Sequence, residues 1–372
     1  MTPLSIVVVG LSLSSSWGNG HATTYRALLS GLGQLGHSVL FLEREQPWYA
    51  ENRDLVDPTY CELQFYADVE ELSSWQEVLK AADAVIIGSY VPDGIKVIDT
   101  ISRFGPRLLC FYDIDTPITL AALARGDGNY VARRQLPHFD IYFSFAGGRA
   151  LDRLRCDFGV HRAEALYCAV DPDAYGPTGQ EKRWDLGYLG TYSADRQPTI
   201  DELLVRTAEL FPHYRFAVAG PQYPSAIRWP KNVERIEHLP PEYHRSFYSQ
   251  QRYTLNVTRA NMIESGWSPS VRLFEAAACA TPVISDRWEG LDDFFPEPEA
   301  MSTATTAEEV GMVLSRGPAA AKMQGQAAYR IVKARHTGLV RASELAEILQ
   351  AARRPAHLRA TRQKTEEHHA AR

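Results

Sequence analysis

Arg272 and Glu275 lie in the segment Ser268-Pro269-Ser270-Val271-Arg272-Leu273-Phe274-Glu275-Ala276-Ala277-Ala278-Cys279-Ala280-Thr281-Pro282-Val283-Ile284-Ser285. On a helix, a spacing of three places both side chains on one face. Ser268 or Ser270 suits the N-cap, and Pro269 suits the first turn. A helix start presents backbone N–H groups at the positive end of the dipole, which seats a phosphate. The guanidinium adds a fork of donors for a diphosphate, and a carboxylate one turn on accepts sugar hydroxyls. On a helix otherwise made of Leu, Phe and Ala, an acid needs an exposed face or a polar partner. Together these groups suit the binding of a nucleotide-sugar.

Four further loops carry candidate chemistry. Gly187-Tyr188-Leu189-Gly190-Thr191-Tyr192-Ser193-Ala194-Asp195-Arg196 reads as a strand, a small-residue loop and a base ahead of a helix from about Ile200 to Leu210. Backbone amides at Gly190 and Thr191, with the Arg196 guanidinium, can neutralise a diphosphate. Its competing reading is an exposed ion pair with Asp195 or Asp201. Arg259 closes Asn256-Val257-Thr258-Arg259 and adds a second positive charge. Gly18-Asn19-Gly20-His21 follows the first apolar run, so its glycines let backbone approach a ligand. His21 is the candidate general base, or else a surface residue on a capped turn. Tyr112-Asp113-Ile114-Asp115 follows a later apolar run. Its Asp-x-Asp pair admits a metal site, a loop of Asx-turns, or contact of Asp113 or Asp115 with sugar or acceptor. A hard cation needs several oxygen ligands, and no companion cluster accompanies the pair, so no metal is expected. His37 reads as a cap on the C-terminus of the first helix.

These loops sit between alternating strands and helices. Ile6 to Gly10, Ser38 to Leu42, Ala84 to Ile87, Arg107 to Tyr112 and Ile141 to Phe145 are apolar runs of the kind a parallel sheet buries on both faces. A helix from about His21 to Leu35 joins the first two as a βαβ unit. After a Gly/Pro/Thr/Gln/Lys stretch, strands are predicted at Leu186 to Gly190, Phe216 to Ala219, Val233 to Ile236, Tyr253 to Val257 and Pro282 to Ser285. The pattern predicts an α/β protein of two doubly wound domains, 1–175 and 184–338, joined by a linker at 176–183. A helix at 339–352 follows, then a basic tail at 353–372, expected to be disordered.

The segment around Glu275 resembles the donor-binding signature of GT-B glycosyltransferases, in which an acid begins "EAxACGTPVI". It is most similar to the CgeB-type branch, with "SPSVRLFEAAACGTP". Ala169-Val170-Asp171-Pro172 looks like a boundary phrase of that superfamily, and the Gly18–His21 loop looks like its N-terminal loop. The resemblance spans roughly residues 5–350. It implies a GT-B architecture, with 1–175 as the acceptor domain, 184–338 as the nucleotide-sugar donor domain and a terminal helix crossing back onto the first domain. It also implies a metal-independent, hexosyltransferase-like enzyme that takes a nucleoside-diphosphate sugar as substrate and needs no cofactor. Glu275 is then the ribose ligand, Arg196 the diphosphate ligand, and His238 stands where relatives bracket the base. Two positions depart from the pattern. Ala280 stands where Gly is usual, and Trp267 stands where the large retaining group has a second Glu.

Composition sets the outer bounds. At 372 residues, 45% hydrophobic and 23% charged, the chain suits two soluble domains. A net charge of −6 argues against a dedicated nucleic-acid binder. Five unpaired-looking cysteines disfavour a disulfide framework. The first apolar run is too short for a membrane span and has no basic flank, so a cytoplasmic protein with at most peripheral membrane contact is expected. The leading expectation is glycosyl transfer to a sugar, lipid or protein acceptor, with inversion if His21 or Asp113 acts as base and retention otherwise open. A nucleotide-sugar epimerase and a catalytically silent nucleotide-sugar-binding protein of surface or spore-coat assembly are the alternatives. A dinucleotide enzyme is disfavoured because the first loop lacks GxGxxG.

Overall fold

A computed structural model describes residues 2–17 and 20–353. The expectations at Gly18, Asn19 and the tail beyond Arg353 lie outside the described residues.

The apolar runs form two parallel sheets. The first holds β1 (Ser5–Gly10), β2 (Ser38–Arg44), β3 (Glu62–Tyr66), β4 (Ala84–Gly88), β5 (Leu109–Asp113), β6 (Ile141–Ser144) and β7 (Ala163–Ala165), in the order 3-2-1-4-5-6-7. The second holds β8 (Trp184–Leu189), β9 (Phe216–Ala219), β10 (Val233–Ile236), β11 (Gln251–Asn256), β12 (Val283–Ser285) and β13 (Met301–Thr303), in the order 10-9-8-11-12-13. Each sheet has apolar clusters on both faces, which is why the central strands read as continuous hydrophobic runs. The expected fold class, two Rossmann-like doubly wound domains, is borne out.

In each sheet the order of strand addition reverses once, between β1 and β4 and between β8 and β11, while the strands stay parallel. Such switch points open a crevice beyond the carboxyl ends of the strands, where ligands of this architecture bind. The loops of interest leave from these positions.

The helical region after Ala307 divides into Ala307–Ser315, Gly317–Arg335 and Gly338–Ala352. The last of these lies against the Gly20–Gln34 helix of the first half. The approach is that of backbone to backbone: a Cβ on Gly338 would stand 2.0 Å from the Ala27 carbonyl oxygen, and one on Gly31 would stand 2.4 Å from that of Gly338. No described helix is long and apolar enough to cross a membrane.

His37 closes the preceding helix as expected, through its backbone: its amide donates to the Leu32 carbonyl at 3.0 Å behind left-handed Gly36, while its side-chain Nδ1 accepts the Leu4 amide at 3.0 Å and pins the start of β1. One local expectation is corrected. The Val271–Ala278 helix has Ser270 at its N-cap position, but neither serine caps it through its side chain. Ser270 Oγ donates to Asn256 Oδ1 at 2.8 Å and Ser268 Oγ donates to the Gly266 carbonyl at 2.9 Å, so nearby acceptors have captured both hydroxyls. Pro269 falls just before the first turn. The opening amides of this helix are therefore left without a side-chain cap.

Candidate functional site

The second crevice is organised by Arg272. Its Nε donates to the Leu189 carbonyl at the end of β8 (2.8 Å), and its Nη1 donates to Asn256 Oδ1 at the end of β11 (2.9 Å). One planar guanidinium thus bridges the two strands that flank the switch point. It also lies over the Tyr188 ring, 4.9 Å from the centroid. Gly190 makes this possible. A Cβ there would come 2.8 Å from Tyr188 Oη and 3.0 Å from Arg272 Nη2.

Two more guanidinium groups converge on this point. Arg196 Nη2 donates to the Thr191 carbonyl at 2.7 Å and holds the 190–196 loop closed, while its buried Nε has no hydrogen-bond partner. Burial, together with the like charges of Arg272 and Arg259, holds the Arg196 guanidinium below its ordinary pKa. Among the described residues none of the three arginines forms an ion pair, Asp195 and Asp201 included. Thr191 and Arg259 are exposed. The base of the crevice is fixed by buried Asp286, which accepts the Thr258 amide at 2.7 Å and its hydroxyl at 2.8 Å. Arg196, repelled by Arg272 and Arg259 beside an uncapped helix start, makes an arrangement whose chemistry suits a polyvalent anion.

Glu275 faces the other way along the same helix. It is buried, and its Oε2 accepts from Tyr248 Oη at 2.9 Å. Tyr175 lies close enough to Glu275 for that charge to raise its phenol, secondary to the effect of burial. Among the described residues Arg272 and Glu275 form no ion pair, so the two charges address separate places. His238 is exposed beyond β10. Tyr248, Tyr175, Tyr188 and Asn256 are the residues that sequence reasoning missed here. Only Asn256, at the end of a buried strand ahead of Arg259, carried a signal that could have found it.

The first crevice has a different character. His21, in the first turn of the Gly20–Gln34 helix, packs edge-on against Tyr90 from the loop after β4, with ring centroids 5.2 Å apart. Burial lowers its pKa to about 4, so the imidazole is neutral at pH 7. Tyr90 Oη donates to Asp115 Oδ2 at 2.9 Å. Asp115 is half-buried; burial raises its carboxyl, with Tyr90 and Arg259 opposing. Arg259 of the second half therefore faces Asp115 of the first. A Cβ on Gly20 would meet nothing within 4 Å.

Asp113 does not share this opening. It is fully buried, with Oδ2 bonded by Tyr142 Oη (2.6 Å) and Oδ1 bonded by Thr119 Oγ1 (2.9 Å) and the Asp115 amide (3.1 Å). Burial raises its pKa to about 6 despite these donors. Both oxygens are committed to holding the loop that presents Asp115. Among the described residues no group of three or more His, Cys, Asp or Glu could hold a metal.

Sequence reasoning also missed what Glu43 does. Its carboxylate accepts the amides of Leu13 (2.7 Å) and Ser14 (2.9 Å) and the hydroxyls of Ser12 (3.0 Å) and Ser14 (2.7 Å). The acid at the end of β2 is used up in shaping the loop that leads to His21.

The two halves meet around Trp267, whose φ of 42° is in the left-handed region. Its carbonyl accepts the Gly147 amide at 2.9 Å, and its amide donates to the Glu289 carbonyl at 2.7 Å. The indole covers Gly148 and Gly290, where a Cβ would come within 2.2 and 2.4 Å of it. The position of the missing acid is thus an interdomain packing point. Arg149 and Glu289 pair beside it at 2.6 Å.

Comparison with solved structures decides the architecture. A sucrose-phosphate synthase from Thermosynechococcus elongatus is 14% identical, aligns over 94% of this chain and 98% of its own, and has a TM-score of 0.68. HepE of Anabaena, in complex with UDP and glucose, is 11% identical over 94% of this chain and 100% of its own, with a TM-score of 0.66. The fold is GT-B. A glycosyltransferase from Rickettsia africae is similarly close, at 11% identity, 95% and 99% coverage and a TM-score of 0.67. Residues 196–350 match a family model described as glycosyl transferase-like. No curated protein matches the sequence.

Proposed function

We propose that this chain is a metal-independent glycosyltransferase that moves a sugar from a nucleoside diphosphate to an acceptor hydroxyl. The observation that carries the reading is the set of three arginines, 196, 259 and 272, gathered at the switch point of the second sheet with no salt bridge to any of them among the described residues. Negative charge develops on the β-phosphate as the glycosidic bond breaks. Fixed guanidinium groups and uncapped helix amides stabilise that charge more than they stabilise the bound donor. They do here what a divalent ion does in other designs. Glu275, oriented by Tyr248, takes the ribose hydroxyls, Gly190, Thr191 and Ser270 line the diphosphate, and His238 borders the base. The Ser268–Pro282 segment supports a place in the CgeB-type branch.

On the acceptor side, neutral His21 receives the proton of the attacking hydroxyl, and Asp115 orients the acceptor opposite Arg259. Asp113 is a positioning residue that sets the Asp115 loop. Attack from this side displaces the nucleotide directly and inverts the anomeric centre. Trp267 in place of the second acid is consistent with this course.

The test is a panel of UDP-, GDP- and dTDP-sugars read by thermal shift, then product mass spectrometry with a cell extract as acceptor source. A donor-induced shift that disappears in Arg196→Ala and Glu275→Ala is expected. Shifts retained in both variants would reject the site, and isomerised donor without transfer would reassign the reaction to epimerisation.

A further inference from the structure

Two indoles stand exposed at the carboxyl edge of the first sheet. Trp17, on the loop after β1, is 56% exposed, and Trp48, just after β2, is 49% exposed. Tryptophan is enriched at binding surfaces, and hydrogen bonds tie together the two segments that carry these rings. The Trp17 amide donates to Ser15 Oγ (3.2 Å), which donates to the Asn52 carbonyl (2.7 Å), while Asn52 Nδ2 donates to the Trp48 carbonyl (2.8 Å). The amides of Asp54 and Leu55 both donate to the Ser14 carbonyl at 3.0 Å. Arg26 binds Asp54 at 2.5 Å, and Glu43 holds the loop from beneath. The segment that carries Trp17 and the segment that carries Trp48 are thus fastened to each other as one shelf.

Charge selects the occupant. The exposed acids around the shelf are Glu45, Glu51, Asp54 and Asp57, while Arg53 and Arg26 are spent on Glu45 and Asp54. Among the described residues Glu51 and Asp57 form no ion pair. Interfacial membrane anchors set Trp beside Lys and Arg, and nucleic-acid surfaces are basic; this shelf is the reverse. Indole faces flanked by free carboxylates suit a hydroxyl-rich, uncharged ring, which lays its C–H face on the aromatic and donates its hydroxyls to the acids.

Position sets the length of that occupant. The shelf leaves from β1 and β2, whereas Asp115 leaves from β5, and the strand order 2-1-4-5 separates β2 from β5 by three intervals. At about 4.8 Å per interval this is roughly 14 Å, more than one sugar ring spans.

We propose that Trp17 and Trp48 form a platform for an uncharged oligosaccharide acceptor, which lies across the first sheet with its reacting hydroxyl at His21 and Asp115. This inference rests on the glycosyl-transfer reading above. The test is affinity electrophoresis in native gels cast with dextran, soluble starch, laminarin or galactomannan. It compares the wild type with Trp17→Ala, Trp48→Ala and the double variant. In parallel, thermal shifts are read with UDP, GDP and dTDP, and co-sedimentation is measured with phosphatidylcholine/phosphatidylglycerol vesicles. Retardation by at least one glucan or mannan is expected, weakened tenfold or more in the double variant, with the nucleotide shift unchanged. No retardation in any gel, retardation that survives the double substitution, or vesicle binding that the double variant loses would each overturn the platform. A missing nucleotide shift in the wild type would count against the transferase reading alone, because glycan retardation is read without donor.

Discussion

At the second switch point three guanidinium groups stand together by a helix start with no side-chain cap; at the first, a neutral imidazole packs on the tyrosine that holds one half-buried carboxylate. The sheets share their winding, so the difference lies in what each puts on its carboxyl edge. A cluster of positive charge with no salt bridge among the described residues is costly to assemble and is kept where a polyanion will neutralise it. A crevice with a single half-buried carboxylate asks little of its ligand beyond shape and hydroxyl contacts. On the proposed function, the phosphorylated substrate goes to one half and the neutral one to the other. Mutations should therefore separate cleanly by half.

Removing the base tests the first half most severely. His21→Ala should lower kcat by about 10²–10⁴-fold, the usual worth of general-base catalysis, and leave the donor-induced thermal shift intact. Wild-type kcat/KM should hold down to about pH 4, where His21 protonates, because its folded pKa is lowered to about 4. The same depression means that neutral His21 supports the fold fully above pH 6.5 and loses that support as the pH falls towards 4. A variant that loses both turnover and donor shift would place His21 on the donor side.

Arg272→Ala tests the second half. Loss of a fixed donor at developing charge costs on the order of 10²–10³-fold in turnover, and here the donor-induced shift should fall with it. Arg272→Lys should not rescue, since one ammonium cannot span the Leu189 carbonyl and Asn256 as the fork does. Full recovery with Lys would mean that charge alone matters at the switch point.

Much of this division was legible in the sequence. β1, β2, β4, β5 and β6 announce themselves because both faces are buried, and β9 and β10 were predicted to the residue. The strands that escaped, β3, β7 and β13, are all sheet edges. Glu62-Leu63-Gln64-Phe65-Tyr66 has one half-wet face, and Ala163–Ala165 and Met301–Thr303 are three residues each, too short for a pattern. Within the site, Arg272, Arg196 and Arg259 were visible as bases at strand and helix ends. Which member of Asp113-x-Asp115 is buried was not, because the pleat alone does not say which of two acids past a strand end meets Tyr142 and Thr119. The tyrosines around Glu275 were hidden for a similar reason: Tyr175 and Tyr248 reach it from distant segments.

Asp113→Asn probes whether the buried acid is structural. Its ionised form is disfavoured by burial, so wild-type stability should fall relative to the Asn variant as the pH rises from about 4 to about 6, then level off. The ceiling is about 3 kcal/mol, from 1.36 kcal/mol per unit. Denaturant melts at pH 4, 6 and 8 read it. A pH-independent difference would show that Asp113 stays in one protonation state throughout, and an unchanged nucleotide shift would keep it out of the donor site.

Two glycines offer a smaller version of the contrast. Gly190→Ala drives a methyl towards Tyr188 and Arg272 and should cost about 1–3 kcal/mol, shared between fold and donor affinity. Gly20→Ala adds a methyl in open space at a helix start and should change neither. Isothermal titration with the nucleotide, paired with thermal melts, separates the two contributions. Equal effects at both positions would erase the difference in crowding between the crevices.

The smallest effect is expected at the far end of the donor helix. Ala280 has φ of 53°, and the Thr281 and Ala280 amides donate to the carbonyls of Ala276 (2.9 Å) and Ala277 (3.0 Å). This is a Schellman closure with alanine where glycine normally turns the chain. An L-residue in the left-handed region costs about 1 kcal/mol, and glycine removes that cost but adds unfolded-state freedom. Ala280→Gly should therefore stabilise the protein by about 0.5 kcal/mol in urea melts. The helix start, nine residues away, should keep its affinity for nucleotide. A gain in stability accompanied by weaker nucleotide binding would show that the strained turn tensions the helix that carries Arg272, and the donor site would then extend through the whole helix rather than sit at its tip.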